Sequence, residues 1–434
     1  MRNWKLLVLA FTADAKLFDS NYGGINSTEY ITPSELVRVP FERVVNKDAG
    51  AQFGAIGADY VSATLVGTIG VGTPPQPLVV LFDTGSSLFW VRSSQCTSSS
   101  CAQQRSFNNA KSSTYKTTNG GTQQVTYGDG TQVICTVNSD TVTIGNFAIQ
   151  GQPLCEATSI QTTTANLDGI IGLGPSTAQG NVGLTGDNSA ADVFQSLATK
   201  FSTNNAIVSF WYNLQASPTA PAGTSGEITF GGIDPSRYTG QITWFVIFNC
   251  RFDSVSGQPH WAVNLNSISI GGNSIFSSSL TTFIDTGTTA FVLPTAIVKQ
   301  LNAKFTLTNN GYVIPCSQAA SLSPVTFGFG NSGLSITLSG NQQVAQISNN
   351  ICLSIFSSPP ATLGSTGQQY GIAGALFINQ FYNVFDYGNN RVGFATPVTS
   401  LPSISSNSSL PQQKNNQEAT KPWLLLLFIS YIFL

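Results

Sequence analysis

Phe82-Asp83-Thr84-Gly85-Ser86-Ser87 returns later in the chain as Ile284-Asp285-Thr286-Gly287-Thr288-Thr289. A short apolar segment that ends in glycine follows each copy, Ile170-Ile171-Gly172 after the first and Ile372-Ala373-Gly374 after the second. Each closing glycine lies 89 residues after its aspartate. A chance repeat of Asp-Thr-Gly is easy, but two motifs at one spacing indicate a chain built from two duplicated lobes.

Each aspartate stands where an apolar strand has to end in a sharp turn. The strand-like runs are residues 78–82 and 280–284, and glycine two positions after each aspartate permits close backbone approach. The threonine hydroxyls can bond backbone or the other lobe, and the hydroxyls three positions after each aspartate can donate to its outer carboxylate oxygen. The supporting pairs are Thr84 and Thr286, Gly85 and Gly287, and Ser86 and Thr288.

The duplication predicts that Asp83 and Asp285 meet as one pair of carboxyls. Two adjacent carboxyls cannot both ionise at low cost, so we expect a shared proton, with one low and one raised pKa. The ionised member can take a proton from water while the protonated member donates to a scissile carbonyl oxygen. The pair therefore predicts hydrolysis of an amide by water, with no cofactor and no metal ion.

Composition bounds the class of protein. The 434 residues are too many for one core and predict two domains. Charged residues make up only 9%, against about 25% in average proteins. A net charge of −2 leaves no basic stripe, which argues against nucleic acid as a partner. A surface with so few titrating groups suits an acidic medium, because little repulsion builds up as carboxylates protonate.

Both ends of the chain read as processing signals. Residues 1–15 combine a basic start, an apolar run and a small-x-small site, which is typical of a secretory signal peptide. The terminal apolar segment, residues 423–434, is too short to span a bilayer. With the small residues and polar spacer before it, it resembles a GPI-attachment signal, and a frayed tail on a soluble secreted enzyme is the alternative. Asn26 and Asn407 lie in glycosylation sequons.

Seven cysteines in a secreted chain predict disulfides with one thiol left over. The candidate pairs are Cys96 with Cys101, Cys316 with Cys352, and Cys135 with Cys155. The pairing among Cys135, Cys155 and Cys250 stays open. With these pairs, Cys250 is the odd residue, and we expect a buried, inert thiol there.

Other hydrolytic chemistries lack their residues. The chain has one histidine, His260, which precedes Trp261 in a strand-like run with no nucleophile motif nearby, and we expect it to be structural. Zinc chemistry lacks histidines and cysteine pairs at ligand spacing. A glycosidase also uses two carboxylates, but nothing about one requires a duplicated Asp-Thr-Gly.

From about Gly67 to Ala395 the chain resembles the pepsin-like aspartic proteases. Besides the two aspartate motifs, the similar stretches are residues 67–74, 168–174, 231–234 and 385–393. The resemblance implies an all-β, bilobal fold with a cleft between two duplicated lobes and an apolar-apolar-Gly segment threading behind each aspartate loop. It implies protein or peptide substrates, pepstatin-type inhibitors and a monomer. A catalytically inactive binding or inhibitor protein of the same fold is the alternative.

The resemblance also assigns the substrate-binding residues. Residues 125–130 correspond to the β-hairpin flap that closes over substrate, with the Tyr127 hydroxyl facing Trp90. Asp129 corresponds to the acidic residue that lets some fungal members accept Lys before the scissile bond, at P1. The residues implied to touch substrate are Tyr127, Gly128, Asp129, Trp90, Leu81, Leu167 and Ile170, the last three as a hydrophobic S1 pocket.

The terminal signals and the resemblance together divide the chain into five parts. They are a signal peptide (1–15), a propeptide (16–50), an N-terminal lobe (51–235), a C-terminal lobe (236–398) and a polar stalk with a hydrophobic signal (399–434). Residues 37–44 correspond to the inhibitory strand of the propeptide. The location implied is secreted or at the cell surface, with an acidic vacuole or lysosome as the alternative.

The chain departs from the family in two places. Gly374 is followed by Ala375 where the family has a buried aspartate, which puts the local packing in doubt but not the chemistry. The small disulfide loop that the family has just before the second aspartate motif is absent.

Overall fold

The structure is a computed structural model. It describes residues 36–46, 60–102, 105–127, 131–145, 147–161, 167–175, 193, 196, 206–213, 226–247, 260–309, 311–330, 334–348, 350–359, 370–398 and 432–433. This part of the chain is mostly β, as its short Val, Ile, Thr and Phe runs separated by Gly and Pro predict. None of its helices is long and apolar enough to cross a membrane.

The strands of the first half end or begin at glycines, prolines and polar turns. They are β1 (Val37–Asn46), β2 (Tyr60–Val71), β3 (Gln76–Asp83), β4 (Phe89–Arg92), β5 (Lys116–Tyr127), β6 (Gln132–Ile144), β7 (Phe147–Gln161), β8 (Gly169–Gly172), β9 (Ile207–Tyr212) and β10 (Gly226–Phe230). Single 3₁₀ turns cover Ser99–Cys101, Asn109–Lys111 and Pro235–Arg237.

The second half is also built of short strands, and its described residues include two short helices. Its strands are β11 (Tyr238–Val246), β12 (Ala262–Ile270), β13 (Asn273–Phe276), β14 (Leu280–Ile284), β15 (Phe291–Val292), β16 (Thr306–Thr308), β17 (Gly311–Pro315), β18 (Val325–Phe329), β19 (Leu334–Leu338), β20 (Val344–Ser348), β21 (Ile351–Ser354), β22 (Phe356–Ser357), β23 (Gly371–Ala373), β24 (Tyr382–Asp386), β25 (Arg391–Pro397) and β26 (Ile432–Phe433). The helices are α1 (Thr295–Leu301) and α2 (Ala375–Ile378), and 3₁₀ turns cover Cys316–Ser321 and Gly340–Gln343.

The same crossing of strands occurs once in each half, at the two aspartates. β3 pairs in parallel with β8, which sets Asp83 opposite Gly172, and β14 pairs in parallel with β23. The next strand of each half, β4 or β15, then pairs antiparallel with β8 or β23. The all-β fold with duplicated lobes that the sequence predicts is confirmed.

Glycine is required where each threading segment passes behind its aspartate loop. A Cβ on Gly172 would lie 2.6 Å from the backbone nitrogen of Leu88, and one on Gly374 would lie 2.6 Å from the backbone oxygen of Thr288. Real Cβ atoms do not approach backbone this closely, so any larger residue would push the loops away from the segment. This explains why both copies of the motif close with glycine.

One sheet joins the two halves. Its strand order is β11-β25-β24-β9-β10-β1-β2-β3-β8-β4-β7-β6-β5-β26, so strands from both sides of the predicted lobe boundary at residue 235 share it. A second sheet, β19-β18-β12-β14-β23-β15-β22, carries the second aspartate loop. Across the halves, the Trp261 indole Nε1 donates to the Leu173 carbonyl at 2.8 Å. The two aspartate loops are therefore held in one framework.

Three disulfides are present in the described part of the chain. They join Cys96 to Cys101, Cys135 to Cys155, and Cys316 to Cys352. These are the candidate pairs that the sequence offers, and the pairing left open there is settled as Cys135 with Cys155. Cys250 lies outside the described residues.

Candidate active site

The two threonines of the motifs tie the aspartate loops together. The Thr84 amide donates to Thr286 Oγ1 at 2.9 Å, and the Thr286 amide donates to Thr84 Oγ1 at 3.0 Å. Each hydroxyl donates onward to a carbonyl of the opposite lobe, Thr84 to Ile284 at 3.0 Å and Thr286 to Phe82 at 2.7 Å. Four hydrogen bonds related by the duplication thus fix one loop against the other, and all their groups are buried.

The glycines of the motifs let the carboxyls approach. A Cβ on Gly85 would lie within 2.6 Å of Asp285 Oδ2, so only a residue without a side chain fits there. The Gly85 amide donates to Asp83 Oδ1 at 2.9 Å, and the Gly287 amide donates to Asp285 Oδ1 at 2.7 Å. The structure thus brings Asp83 and Asp285 together as one buried pair, at 0% and 3% exposure.

The pair is less symmetrical than the sequence predicts. The Thr288 hydroxyl donates to Asp285 Oδ2 at 2.6 Å, as expected. In the first lobe, Ser86 Oγ and Asp83 Oδ2 are buried, and neither has a hydrogen-bond partner among the described residues. The expected hydroxyl-to-carboxylate bond is therefore present for Thr288 only, and the outer oxygen of Asp83 keeps its accepting capacity for other groups.

Burial raises the pKa of both carboxyls. For Asp285 the charge of Asp83 adds to burial, so the pKa of Asp285 lies well above its ordinary range. For Asp83 burial is partly opposed by neighbouring groups, among them the Gly85 amide that donates to its Oδ1, and its pKa is raised as well. The expectation of one low pKa is wrong here, because burial outweighs those groups. Asp83 and Asp285 thus titrate as one pair, and burial disfavours ionisation of both carboxyls.

The raised pKa of Asp285 predicts that the protein is more stable in acid. Between the ordinary pKa of an unfolded aspartate and the raised pKa of Asp285, the folded state binds more protons than the unfolded state. The contribution of Asp285 to stability is therefore full at low pH and is lost as pH rises through the raised pKa. We expect Tm, measured by differential scanning fluorimetry, to fall between pH 4.5 and pH 7, and to fall clearly less in Asp285→Asn. An equal fall in both proteins would contradict this origin.

The predicted substrate wall packs against the base of the flap. The Trp90 indole donates to the Tyr127 hydroxyl at 2.8 Å, the contact implied by the resemblance. A buried apolar cluster surrounds these rings and includes the three residues implied for the S1 pocket: Leu81, Leu167 and Ile170. The flap tip, with Gly128 and Asp129, lies outside the described residues.

Two charged residues behind this wall were not predicted from the sequence. Arg92 is 2% exposed, and its guanidinium donates to the Leu167 carbonyl at 2.7 Å. The Asp168 carboxylate accepts from the Val79 amide at 2.8 Å and from Arg105 Nε at 2.9 Å. Burial raises the pKa of Asp168, which these donors partly offset. The sequence did offer one signal for this pair. Arg92 ends a run of apolar residues, and a cation buried at the end of such a strand needs polar partners.

The second aspartate loop is supported by backbone hydrogen bonds although Ala375 replaces the aspartate that the family has after Gly374. Ala375 is buried at the start of α2, and its amide donates to the Thr288 carbonyl at 2.7 Å. The backbone therefore holds the loop where the family has an aspartate. In the described part of the chain, no group of three or more His, Cys, Asp or Glu residues is placed to hold a metal ion.

Comparisons with known proteins agree with this geometry. The profile of a family described as "Eukaryotic aspartyl protease" matches residues 64–397. Cathepsin E-B of Xenopus laevis is 33% identical over 392 residues, which cover 88% of each chain. Cathepsin D of Chionodraco hamatus is 33% identical over 351 residues, covering 78% of this chain and 82% of its own. Aspartic protease 3 of Caenorhabditis elegans is 33% identical over 374 residues, covering 82% and 87%.

Proposed function

The chain belongs to the eukaryotic aspartyl protease family and is an aspartic endopeptidase, and from this premise we propose that Asp83 and Asp285 hydrolyse peptide bonds at acidic pH. The observation that carries the proposal is the set of reciprocal threonine bonds, which hold two buried carboxyls from different lobes side by side.

We assign the part of the base to Asp83 and the part of the acid to Asp285, whose pKa is raised by burial and by the charge of Asp83. Asp83 accepts a proton from a water molecule as the water oxygen attacks the scissile carbonyl carbon. Asp285 donates its proton to the carbonyl oxygen. As the C–N bond breaks, Asp83 gives its proton to the leaving nitrogen and Asp285 takes the proton of one hydroxyl on the tetrahedral carbon, so the pair returns to its singly protonated state. General acid and base act together, and no covalent intermediate forms.

A peptide library tests the proposal. The processed protein is incubated with the library at pH 3.5–5.5, with and without pepstatin, and the products are read by mass spectrometry. We expect cleavage that pepstatin abolishes and that disappears as pH rises through the raised pKa of Asp285. A processed, folded protein that cleaves nothing would overturn the proposal and favour the inactive binding or inhibitor protein.

We propose that the substrate residue before the scissile bond is bulky and apolar. The support is the cluster around Leu81, Leu167 and Ile170, whose members are at most 9% exposed. Trp90 and Tyr127 complete its aromatic side. Burial of a Phe or Leu side chain against such a wall is worth about 1.5–3 kcal/mol.

Asp129 adds a tolerance for Lys at P1, by the resemblance of its position on the flap. Asp129→Ser is expected to lower kcat/KM about 10-fold for a Lys-P1 peptide, which corresponds to ~1.4 kcal/mol of lost ion pairing. The matched Phe-P1 peptide should be cleaved at nearly the wild-type rate, because it makes no use of the carboxylate. Equal losses on both peptides would contradict the role.

We further propose that the enzyme is made as a zymogen and that β1 belongs to its propeptide. β1 lies inside the large sheet, paired with β10 on one side and β2 on the other. Arg38 on β1 contacts Asp234 Oδ2 at 2.9 Å and Glu227 Oε1 at 3.4 Å. Arg237 shares both carboxylates, so β1 is anchored by a network of four charged groups.

Acid should loosen this anchor. Burial alone would raise the pKa of Asp234, but hydrogen bonds from Ser236 and Arg38 bring it below its ordinary value. A group with a lowered pKa stabilises the folded state above its ordinary pKa, and that stability is lost as pH falls through the lowered value. Release of β1 is therefore expected only in acid, below the ordinary aspartate range.

Arg38→Gln is expected to make the precursor shorten at higher pH than the wild type. Loss of a partly exposed cation that serves two buried carboxylates costs about 1–3 kcal/mol. Processing is followed on gels after transfer of purified precursor to a series of pH values. Lys299→Gln, which removes an exposed cation from α1, is the control and should behave as wild type. A precursor that never shortens in acid would refute autoactivation.

For location, we propose secretion through the signal at residues 1–15, glycosylation at Asn26 and Asn407, and cell-surface attachment as a monomer through a GPI anchor. The support is the sequence pattern, since residues 1–35 and 399–431 lie outside the described residues. Release of the enzyme from cells by phosphatidylinositol-specific phospholipase C tests the anchor. Activity found only in an acidic vacuole or lysosome would favour the alternative.

A further inference from the structure

The duplication places a second apolar cluster on the other side of the aspartate pair. The two aspartates are 202 residues apart. Two separate apolar clusters contain pairs of residues with the same separation of 202 positions. The matched residues are Leu81 with Phe283, Leu88 with Ala290, Trp90 with Val292, and Ile170 with Ile372. We call the second set, together with Tyr370, the C-lobe cluster: Phe283, Ala290, Val292, Tyr370 and Ile372.

The C-lobe cluster has the same sequence offsets from Asp285 as the predicted S1 wall has from Asp83. Phe283 lies two residues before Asp285, as Leu81 lies two residues before Asp83, and alternate residues of a strand share a face. An extended peptide that crosses the pair therefore has one wall on each side of its scissile bond. If the first wall takes P1, the C-lobe cluster faces the residues after the bond, P1′ and P2′.

His260 lies at the edge of this cluster. The next residue, Trp261, accepts the Ile284 amide at 2.8 Å, so His260 is fixed beside the strand that leads into Asp285. Its ring centroid is 4.7 Å from that of Phe283, which is in turn 5.6 Å from that of Tyr370. His260 and Phe283 are both half-buried, so each keeps a surface toward solvent.

The two walls differ in charge. At the position that matches Tyr370, 202 residues earlier, the first lobe has Asp168 behind its wall, with the cation Arg105 bound to the carboxylate. The described residues of β12, β14, β15 and β23, with those that flank them, include three ionisable side chains: His260, Asp285 and Tyr370. His260 is thus the only side chain of that set that can carry a positive charge.

We propose that His260 is a specificity residue that selects an acidic side chain at P1′ or P2′ of the substrate. The inference rests on the proposed function, since it needs a peptide bound across the aspartate pair. An imidazolium donates a charge-assisted hydrogen bond to a carboxylate, which is stronger than a bond to a neutral amide. The apolar rings beside it would bury the methylenes of a Glu side chain, so Glu fits the edge of this cluster.

Matched peptides test the proposal. Each pair carries Glu or Gln at P1′, at P2′ or at the unprimed control position P3, and is otherwise identical. Assays are run at pH 5.0, where a free Glu side chain, of ordinary pKa about 4.3, is mostly ionised. For the wild type we expect kcat/KM to be about 5- to 10-fold higher with Glu than with Gln at P1′ or P2′, and equal at P3.

Two variants separate charge from packing. In His260→Gln the Glu-to-Gln ratio should fall to about 1, because the side chain no longer carries a charge that prefers the carboxylate. In His260→Lys a preference for Glu should persist. A wild-type ratio of 1 at both primed positions, an equal preference at P3, or an unchanged ratio in His260→Gln would overturn the proposal. The wild-type ratios decide even if a variant fails to fold. Cleavage of neither peptide would instead overturn the proposed function.

Discussion

Replacing Asp83 by asparagine is expected to lower kcat/KM by about 10⁴-fold. Asp83 is the base in the proposed mechanism, and a carboxamide cannot take the proton from the attacking water. The fold should survive, because the substitution removes a buried ionisable group while the amide oxygen can still accept the Gly85 amide. Tm should therefore match or exceed that of the wild type near neutral pH, where the second charge of the pair is most costly.

The control is a carboxyl-to-carboxamide change at another buried site. Asp140 is 0% exposed, and its Oδ1 accepts from the hydroxyls of Ser112 at 3.0 Å and Thr114 at 2.6 Å. Asp140→Asn can keep these bonds and should retain activity within about threefold. Residual pepstatin-sensitive activity in Asp83→Asn above about 1% of wild type would show that Asp83 is not the base of the reaction.

Gly85→Ala is expected to lower kcat/KM by about 10²-fold through geometry alone. The added methyl would occupy the space of the Asp285 carboxyl, at 2.6 Å or less from both of its oxygens. To accommodate it, the two loops must move apart and stretch the reciprocal bonds between Thr84 and Thr286. The loss should appear mainly in kcat, because the walls that bind substrate are not touched.

Gly232→Ala is the matched control for this change. Its Cβ would meet, within 4 Å, only the end of the Leu36 side chain, which can rotate away. Its activity should therefore stay within about threefold of wild type. If Gly85→Ala were as active as Gly232→Ala, the close contact between the lobes would not be needed for the reaction, and the proposed pairing of Asp83 with Asp285 would fail.

Much of the site could be predicted because its residues repeat along the chain. Gly172 and Gly374 lie at the same spacing from their aspartates because each passes behind an aspartate loop at a point where a side chain would clash with the backbone. Apolar strands that lead into each aspartate and the short loop between Cys96 and Cys101 are equally local. The all-β class, the duplicated lobes and the candidate cysteine pairs follow from such signals.

Other features depend on contacts between distant segments. The difference between Ser86 and Thr288 is invisible in sequence, since both carry a hydroxyl three residues after an aspartate, and only Thr288 meets its carboxylate. The raised pKa of Asp83 likewise comes from burial by both lobes. The Arg92 guanidinium donates to the carbonyl of Leu167, which is 75 residues away in the chain. His260, expected to be structural, is placed beside the cleft wall by strand pairing between β12 and β14.

The sequence by itself thus determined the all-β class, the duplication and the candidate catalytic pair, because strand endings, glycine turns and duplicated spacing are properties of short segments. Tertiary structure alone decided how the two copies differ: the Thr288 hydroxyl donates to its carboxylate while the Ser86 hydroxyl does not, and His260 packs beside Phe283 in the second copy. The physical reason is that pKa values and side-chain contacts are set by groups a few ångströms away in space, and in a two-lobed β protein most of those groups are distant in sequence.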